Sequence, residues 1–393
     1  MSALARLRDS LPAELPPALA SLAERLQARP KTQAAGPIGF ELGPDALHLV
    51  QLERRHGALH TRAARTVPYP DGREACLESP AAFKALFGGA LQAGGFRGRH
   101  AVGALRSPDV KLMVIDYAAV NDAEEPRAIV QLVGERFDEA PEALVIDYLP
   151  IRALQESRSE RSALVAVAHR DLVIPHLERL RAAGLEIDAL EIAPVATRRL
   201  VEALAGTGPE DNALALYAGR DSGHLCVLWG RRLVLYRELG IGEKAVVERL
   251  AKTLELESAE AETLLFRHGV QPPGPGEGAS EDPATTHEIA ETTLEILKPG
   301  FYALAEQIDR ARVYTASKAH GAEPDRVYLL GAFARWPRAD RLLASLTEMD
   351  VHTLDPSRDF APASDDLKTA RIETSPESAL ATGLALRGML ANG

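Results

Sequence analysis

Two short turns carry the residues in this sequence best suited to chemistry. Gly43-Pro44-Asp45 follows the apolar run Ile38-Gly39-Phe40-Glu41-Leu42 and leads into a second run over 46–52. Gly219-Arg220-Asp221-Ser222-Gly223 sits in the same way between runs 213–218 and 224–229. A glycine turn lets backbone N–H groups approach a phosphate closely, so both turns suggest phosphate binding. Gly331 ends the buried-looking run 326–330 and offers a third such point. Phosphoryl transfer would also require a metal carboxylate and a residue that orients the attacking group. Lone glycines do not establish that chemistry, because strand-to-strand turns need them anyway.

The elements that must hold these turns repeat. Each turn is followed by a second one, at Arg54-Arg55-His56-Gly57 and at Gly230-Arg231-Arg232, into a third strand. Strand, glycine turn, strand, turn, strand, met twice a domain-length apart, predicts two related lobes with the turns facing a cleft. Helical spacing is predicted over 80–93, within 122–137 (capped by Asn121 or Asp122), over 171–183 and 194–205, over 243–254 and over 258–268 (capped by Ser258). Strands are expected at 100–105, 110–117, 143–148, 163–167 and 186–192. A long helix is expected from about 285 to 318, kinked or broken at Pro299-Gly300, with a further helix at 338–347. The stretch 376–388 reads as a small-residue helix packed closely on a neighbour. The expected fold class is α/β: mixed sheets covered by helices, in two lobes of ribonuclease-H type with insertions, which is the actin-like architecture.

Domain bounds follow. Residues 1–36 form a tail with leucines at helical spacing and a basic tint, expected to dock on a partner or an anionic surface or to stay loosely ordered. The first lobe spans 37–207 with an inserted subdomain at about 110–187. The second spans 208–393 with a helical insertion and a Pro/Gly-rich loop at 271–283.

Composition removes several classes. A formal charge of −11 argues against a nucleic-acid binder. The longest apolar runs are strand-sized, short of the ~20 residues a bilayer needs, and no secretory leader pattern is present, so no transmembrane segment is expected. Two cysteines, Cys76 and Cys226, give no disulfide framework and suit a reducing cytoplasm. No GxSxG, Walker lysine motif or HExxH occurs among the 11 histidines and their neighbours. His48 and His224 hold matching places just past the two turns, and alternation reads them as surface or sheet-face residues rather than a metal pair. Asp116-Tyr117 and Asp147-Tyr148 are read as strand ends that cap edges or turns.

From residue 37 onward, the order of segments resembles the PilM/MshI family of type IV and MSHA pilus assembly, which is actin-like and similar to the cell-division protein FtsA. Seven pieces carry the resemblance: IGFELGPDALHLVQL (38–52), ALRSPDVKLMVIDY (104–117), ERFDEAPEALVIDYLPI (135–151), the stretch ALVAVAHRDLVIPHLERLRAAGLEIDALEIAPVATRRLV (163–201), LELESAEAETLLFRHGV (254–270), VYLLGAFARWPRADRL (327–342) and SALATGLALRGM (378–389). The departures fall on the chemistry. Where ATP-binding relatives carry Asp-x-Gly in each loop, this chain has Glu41 in the first and Tyr217 in the second, with Asp221 four residues on. A Gly-Gly pair becomes Gly242-Glu243, an adenine-side lysine becomes Leu265, and the Gly-Gly of the adenosine loop becomes Gly331-Ala332.

The resemblance implies a cytoplasmic adaptor of a pilus assembly platform, held at the inner membrane through its partners, with a degenerate nucleotide site and no catalytic residues. Its partners would be other platform components and the cytoplasmic tail of a PilN- or MshJ-like single-pass membrane protein, received in a groove where the inserted subdomain meets the first meander. No cofactor is expected. If ATP is retained, the resemblance places it against Glu41, Gly43, Gly219, Ser222, Gly242, Gly331 and Ala332, with Mg2+ reaching Glu41 alone. The alternatives are an active ATPase or phosphotransferase of the actin and sugar-kinase superfamily, or the analogous type II secretion component GspL.

Overall fold

Strands come first in each half of the chain. The computed structural model describes residues 35–106, 109–118, 123–151, 161–208, 211–274, 283–318, 323–362 and 376–390. β1 (Ala35–Leu42), β2 (Ala46–Arg55) and β3 (Ala58–Pro68) form an antiparallel meander, with the β2–β3 turn made by His56 and Gly57 at positive φ. β4 (His100–Ala104) joins β1 in parallel, and β8 (Glu186–Glu191) joins β4 in parallel. The order across this sheet is β3-β2-β1-β4-β8.

The second half repeats the plan. β9 (Asn212–Ala218), β10 (Gly223–Trp229) and β11 (Arg232–Leu239) form a meander, and β12 (Arg326–Gly331) and β13 (Asp350–Thr353) extend it in parallel. Its order, β11-β10-β9-β12-β13, is the first sheet's order reproduced. Every residue of β10 and nearly all of β9 are buried, because helices cover both faces.

Between β4 and β8 lies a third sheet, of β5 (Lys111–Tyr117), β6 (Leu144–Ile151) and β7 (Arg161–His169) in the antiparallel order β5-β7-β6. One face carries Ile115, Tyr117, Ala163, Val165 and Val167 against Ile129 and Val133 of a covering helix.

The helices arise from apolar stripes. α1 (Arg73–Glu78) is a single short turn that the spacing did not predict, whereas α2 (Pro80–Ala93) starts where Ser79 accepts from the Ala82 amide and Pro80 needs no donor. Its buried Phe83, Leu86, Phe87, Ala90 and Leu91 fall on one face, and Phe87 meets Phe40 of β1 edge-on at 5.5 Å. α3 (Glu125–Phe137) covers the third sheet. It begins behind Glu124 with no side-chain cap, so the expected cap does not hold; Asn121 and Asp122 lie outside the described residues. α4 (Arg170–Ala182) packs on α2, and α5 (Ala193–Ala205) ends at Gly206 in the left-handed region.

In the second lobe, α6 (Glu243–Leu254) follows Gly242. α7 (Ser258–His268) is capped by Glu257 in a reciprocal box with Glu260, one residue before the expected Ser258. α8 (Pro283–Lys318) runs unbroken through Pro299-Gly300, where a kink or break was expected. The buried stripe Leu297, Phe301, Leu304, Ile308 and Ala311 continues across the proline, so packing outweighs its one lost hydrogen bond. α9 (Ala339–Thr347), α10 (Pro356–Asp359) and α11 (Ala379–Ala385) complete the helices used below. The tail 1–34 and most of the loop at 271–283 fall outside the described residues.

Each lobe has its own core, and a further core lies between them. Val50 and Leu52 of the first sheet, Ala213, Ala215 and Cys226 of the second, Ala196 and Leu200 of α5, and Leu380, Ala381 and Leu384 of α11 make one continuous cluster. Two helices are therefore packed between two sheets of the same topology.

Candidate functional site

The two meanders bring their first turns together at the mouth between the sheets. A cavity of about 140 Å³ lies there, lined by Glu41, Gly43, Arg106, Tyr217, Gly219 and Ser222 among others. That is small beside the ~300–1,000 Å³ of ordinary ligand pockets. Four of the seven sequence-expected residues thus share one cavity. Gly242 abuts it from behind: a Cβ at that position would lie 2.5 Å from the Arg220 carbonyl. Gly331 has φ of +79°, and a Cβ there would meet the Ala218 carbonyl at 2.2 Å. Ala332 is buried and opens a short helical turn through Arg335 that packs into the second-lobe core. Leu265 is fully buried in that same core and faces no cavity.

Strand register makes the two halves of the site equivalent. Glu41 pairs across its hairpin with His48, and Tyr217 pairs across its own with His224. The four residues therefore hold matching places, and each carboxylate position has diverged differently. Glu41 is partly buried, its buried Oε2 has no hydrogen-bond partner among the described residues, and desolvation together with Glu377 pushes its pKa up to about 8. That shift favours the protonated acid over a metal-ready carboxylate near neutral pH. At Tyr217, burial first and then the neighbouring Glu41, Glu377 and Glu243 side chains hold the phenol well above its usual pKa, and its ring stacks on His224 at 5.0 Å.

Of the two readings offered for the histidines, sheet-face residues and surface residues, the first holds: His48 lies in β2 and His224 in β10, and both are buried. His48 Nδ1 lies 3.1 Å from Thr66 Oγ1, and His224 Nε2 lies 2.9 Å from Thr197 Oγ1. Burial lowers their pKa to about 4 and about 3, with Arg335 adding to the effect at His48, so both are neutral. Asp147-Tyr148 lies inside β6 and not at its end, while Asp116 accepts from Ser162 Oγ on the neighbouring strand. Among the described residues, no group of three or more His, Cys, Asp and Glu side chains is placed to hold a metal.

The backbone of the second turn is committed elsewhere. Gly219 N–H donates to the Ser222 carbonyl at 2.9 Å, closing the turn on itself. The first two amides of α6 point at that turn as well: Glu243 N–H donates to Gly219 O at 3.0 Å and Lys244 N–H to Arg220 O at 2.9 Å. Helix N-terminal amides bind phosphates only when they are open; here carbonyls occupy them.

Two arginines that sequence reasoning missed dominate the electrostatics. Arg220 Nη1 lies 3.0 Å from Glu243 Oε2 and 3.5 Å from Glu262, while its Nε reaches Asp45 of the first-lobe turn at 2.9 Å. Arg335 Nη2 bonds the other Glu243 oxygen, and its Nη1 lies 2.6 Å from Glu377. The Arg335 guanidinium also sits 4.4 Å over the Phe266 ring. Burial opposes the charge on Arg220, but its bond to Glu243 more than offsets this and raises its pKa. The signal in the sequence was Glu243 itself. A carboxylate at the first position of a helix that packs inward must find cationic partners.

No protein-family profile and no curated protein matches the sequence. Solved structures do. A structure described as the "PilM-PilN type IV pilus biogenesis complex" superposes with a TM-score of 0.67 at 25% identity, covering 90% of this chain and 99% of that one. The ethanolamine utilization protein EutJ from Carboxydothermus hydrogenoformans matches at TM-score 0.50 and 12% identity, over 90% of this chain and 89% of that one, which shows a shared fold. No described helix is long and apolar enough to cross a membrane. The duplicated sheets with two helices packed between them give this chain the actin-like fold, and at 25% identity it is similar nearly end to end to the structure of the PilM–PilN complex.

Proposed function

We propose that this chain is an adaptor of a type IV pilus assembly platform, MSHA-type platforms included, that receives the tail of a PilN-type inner-membrane partner and works without a nucleotide. The observation that carries the reading is the likeness to a PilM–PilN complex over 90% of the chain. The cleft supports its second half. Glu41 has its pKa raised to about 8, Tyr217 replaces the second carboxylate, the Glu243 and Lys244 amides are bonded to carbonyls, and the Glu243 side chain is buried at the start of α6. These residues do not fit a magnesium–triphosphate group.

The third sheet supports the first half. Its face away from α3 packs Leu112 and Leu149 on the core between the lobes and leaves Val114 and Val145 38% exposed on its two edge strands. An extended tail with apolar anchors suits such a surface. In this reading the protein sits in the cytoplasm and meets the inner membrane only through that partner.

The test is titration of a synthetic peptide of the partner's cytoplasmic tail against the full chain, with and without Mg-ATP. Saturable binding that ignores Mg-ATP and weakens at least tenfold in Val114→Glu or Val145→Glu is expected. Binding that requires Mg-ATP, or ATP hydrolysis that disappears in Glu41→Ala, would establish an enzyme instead.

A further inference from the structure

We propose that Glu243 is an internal anion standing where a phosphate group would sit, and that through Arg220 it clamps the two lobes together with no nucleotide. This rests on the nucleotide-free reading of the cleft and adds what occupies it.

The geometry is that of an occupied anion site. Glu243 is fully buried, and its two oxygens are each taken by a different arginine, Oε2 by Arg220 and Oε1 by Arg335. Bonds between guanidinium groups and a carboxylate are the strong, oriented kind that also recognise phosphate. The carboxylate lies at the start of α6, a 12-residue helix whose N-terminal field favours negative charge. The amides of Glu243 and Lys244 are already bonded to the carbonyls of Gly219 and Arg220 and are closed to a second anion. Charge completes the exclusion: two guanidiniums face Asp45, Glu243, Glu262 and Glu377, so an entering polyphosphate would meet two arginines already outnumbered by four carboxylates.

The clamp follows from where Arg220 reaches. Asp45 belongs to the turn between β1 and β2, and Glu243 belongs to the second lobe, so one guanidinium joins the two turns directly. Arg335 adds a second tie, to Glu377 just ahead of α11, the helix packed between the sheets. In an actin-like body whose cleft holds a nucleotide, the ligand can bridge the turns. Here side chains bridge them.

Glu243→Gly removes the internal anion, places a Gly-Gly pair at 242–243 and opens the space between Arg220 and Arg335, which keep Asp45, Glu262 and Glu377 as partners. Inorganic pyrophosphate should then raise the melting midpoint of the variant saturably by several degrees and leave the natural protein unmoved. A folded variant that ignores pyrophosphate overturns the assignment of Glu243 as a phosphate substitute. A natural protein that pyrophosphate or Mg-ATP stabilises overturns the nucleotide-free reading itself, which is a separate outcome. The clamp is read independently, with spin labels at Lys84→Cys on α2 and Lys252→Cys on α6, both exposed. The distance distribution between them should be narrow in the otherwise natural chain and broaden in Arg220→Ala and Asp45→Asn. Asp45 is 70% exposed at its side chain, so the latter change leaves the core intact. An unchanged distribution in both variants overturns the clamp even if Glu243→Gly fails to fold.

Discussion

Glu41 keeps its proton in the fold up to about pH 8 but would release it near 4.5 in an unfolded chain. Between those values the folded state holds the extra proton, so its contribution to stability falls as pH rises. His48, His176 and His224 act with the opposite sign. Burial lowers them to about 4, 4 and 3, so their contribution is present above pH 6.5 and lost as pH falls below it. Between about pH 7 and 8 the unfolded histidines lose most of their charge, so Glu41 gives the slope its sign. Unfolding free energy should therefore fall with pH in that window, by less than the ~1.4 kcal/mol per pH unit that one whole proton would give. Glu41→Gln should flatten it, as read by urea midpoints at several pH values; an equal slope in the variant would refute the protonated Glu41. At this scale the sequence showed the departures and not their resolution. Glu41, Tyr217 and Glu243 stood out against a family pattern, but Arg220 and Arg335 meet Glu243 only through tertiary packing, 23 and 92 residues away. The burial of the two sheet-face histidines was not legible because alternation assumes one wet face, and these sheets are covered on both.

Elements with a long period were legible, short ones were not. α2, α5 and α6 fall within a residue of their expected bounds and the first two strands of each meander within three, since each has a buried stripe or a glycine stop. α1, α10 and β13 have four to six residues, too few to display a period. The close-packed helix expected from small residues is α11, whose residues are all buried. Its contact with β1 is tight enough to test. A Cβ on Gly39 would lie 2.0 Å from the Ala381 carbonyl, and one on Gly383 would lie 2.3 Å from the Ala196 carbonyl. Gly39→Ala and Gly383→Ala should each cost about 1–3 kcal/mol or more, because backbone atoms must move. Gly88→Ala, inside α2 with open space around it, should instead be neutral or stabilise by up to about 1 kcal/mol. Chemical denaturation of the three variants separates close approach from mere glycine content.

At the scale of the whole chain, the repeated sheet order was foreshadowed by the repeated turns, and the shared middle core was not. Sequence spacing cannot show that α5 and α11 face two sheets at once. That core makes the lobes one cooperative unit, and scanning calorimetry should give a single transition with calorimetric and van't Hoff enthalpies in agreement. Two separable transitions would mean that the lobes unfold independently.

The placement of α11 on β1 also bears on how this protein is made. Arg54 at the end of β2 donates to the carbonyl of Met389 just past α11, across 335 positions of sequence. At ordinary translation rates that stretch takes roughly 20–70 s to synthesise. Through that interval the nascent first sheet has left the ribosome with the face around Gly39 bare, because its cover has not yet been translated. The first lobe to be made is thus among the last to be finished, and the nascent chain must be shielded until α11 arrives.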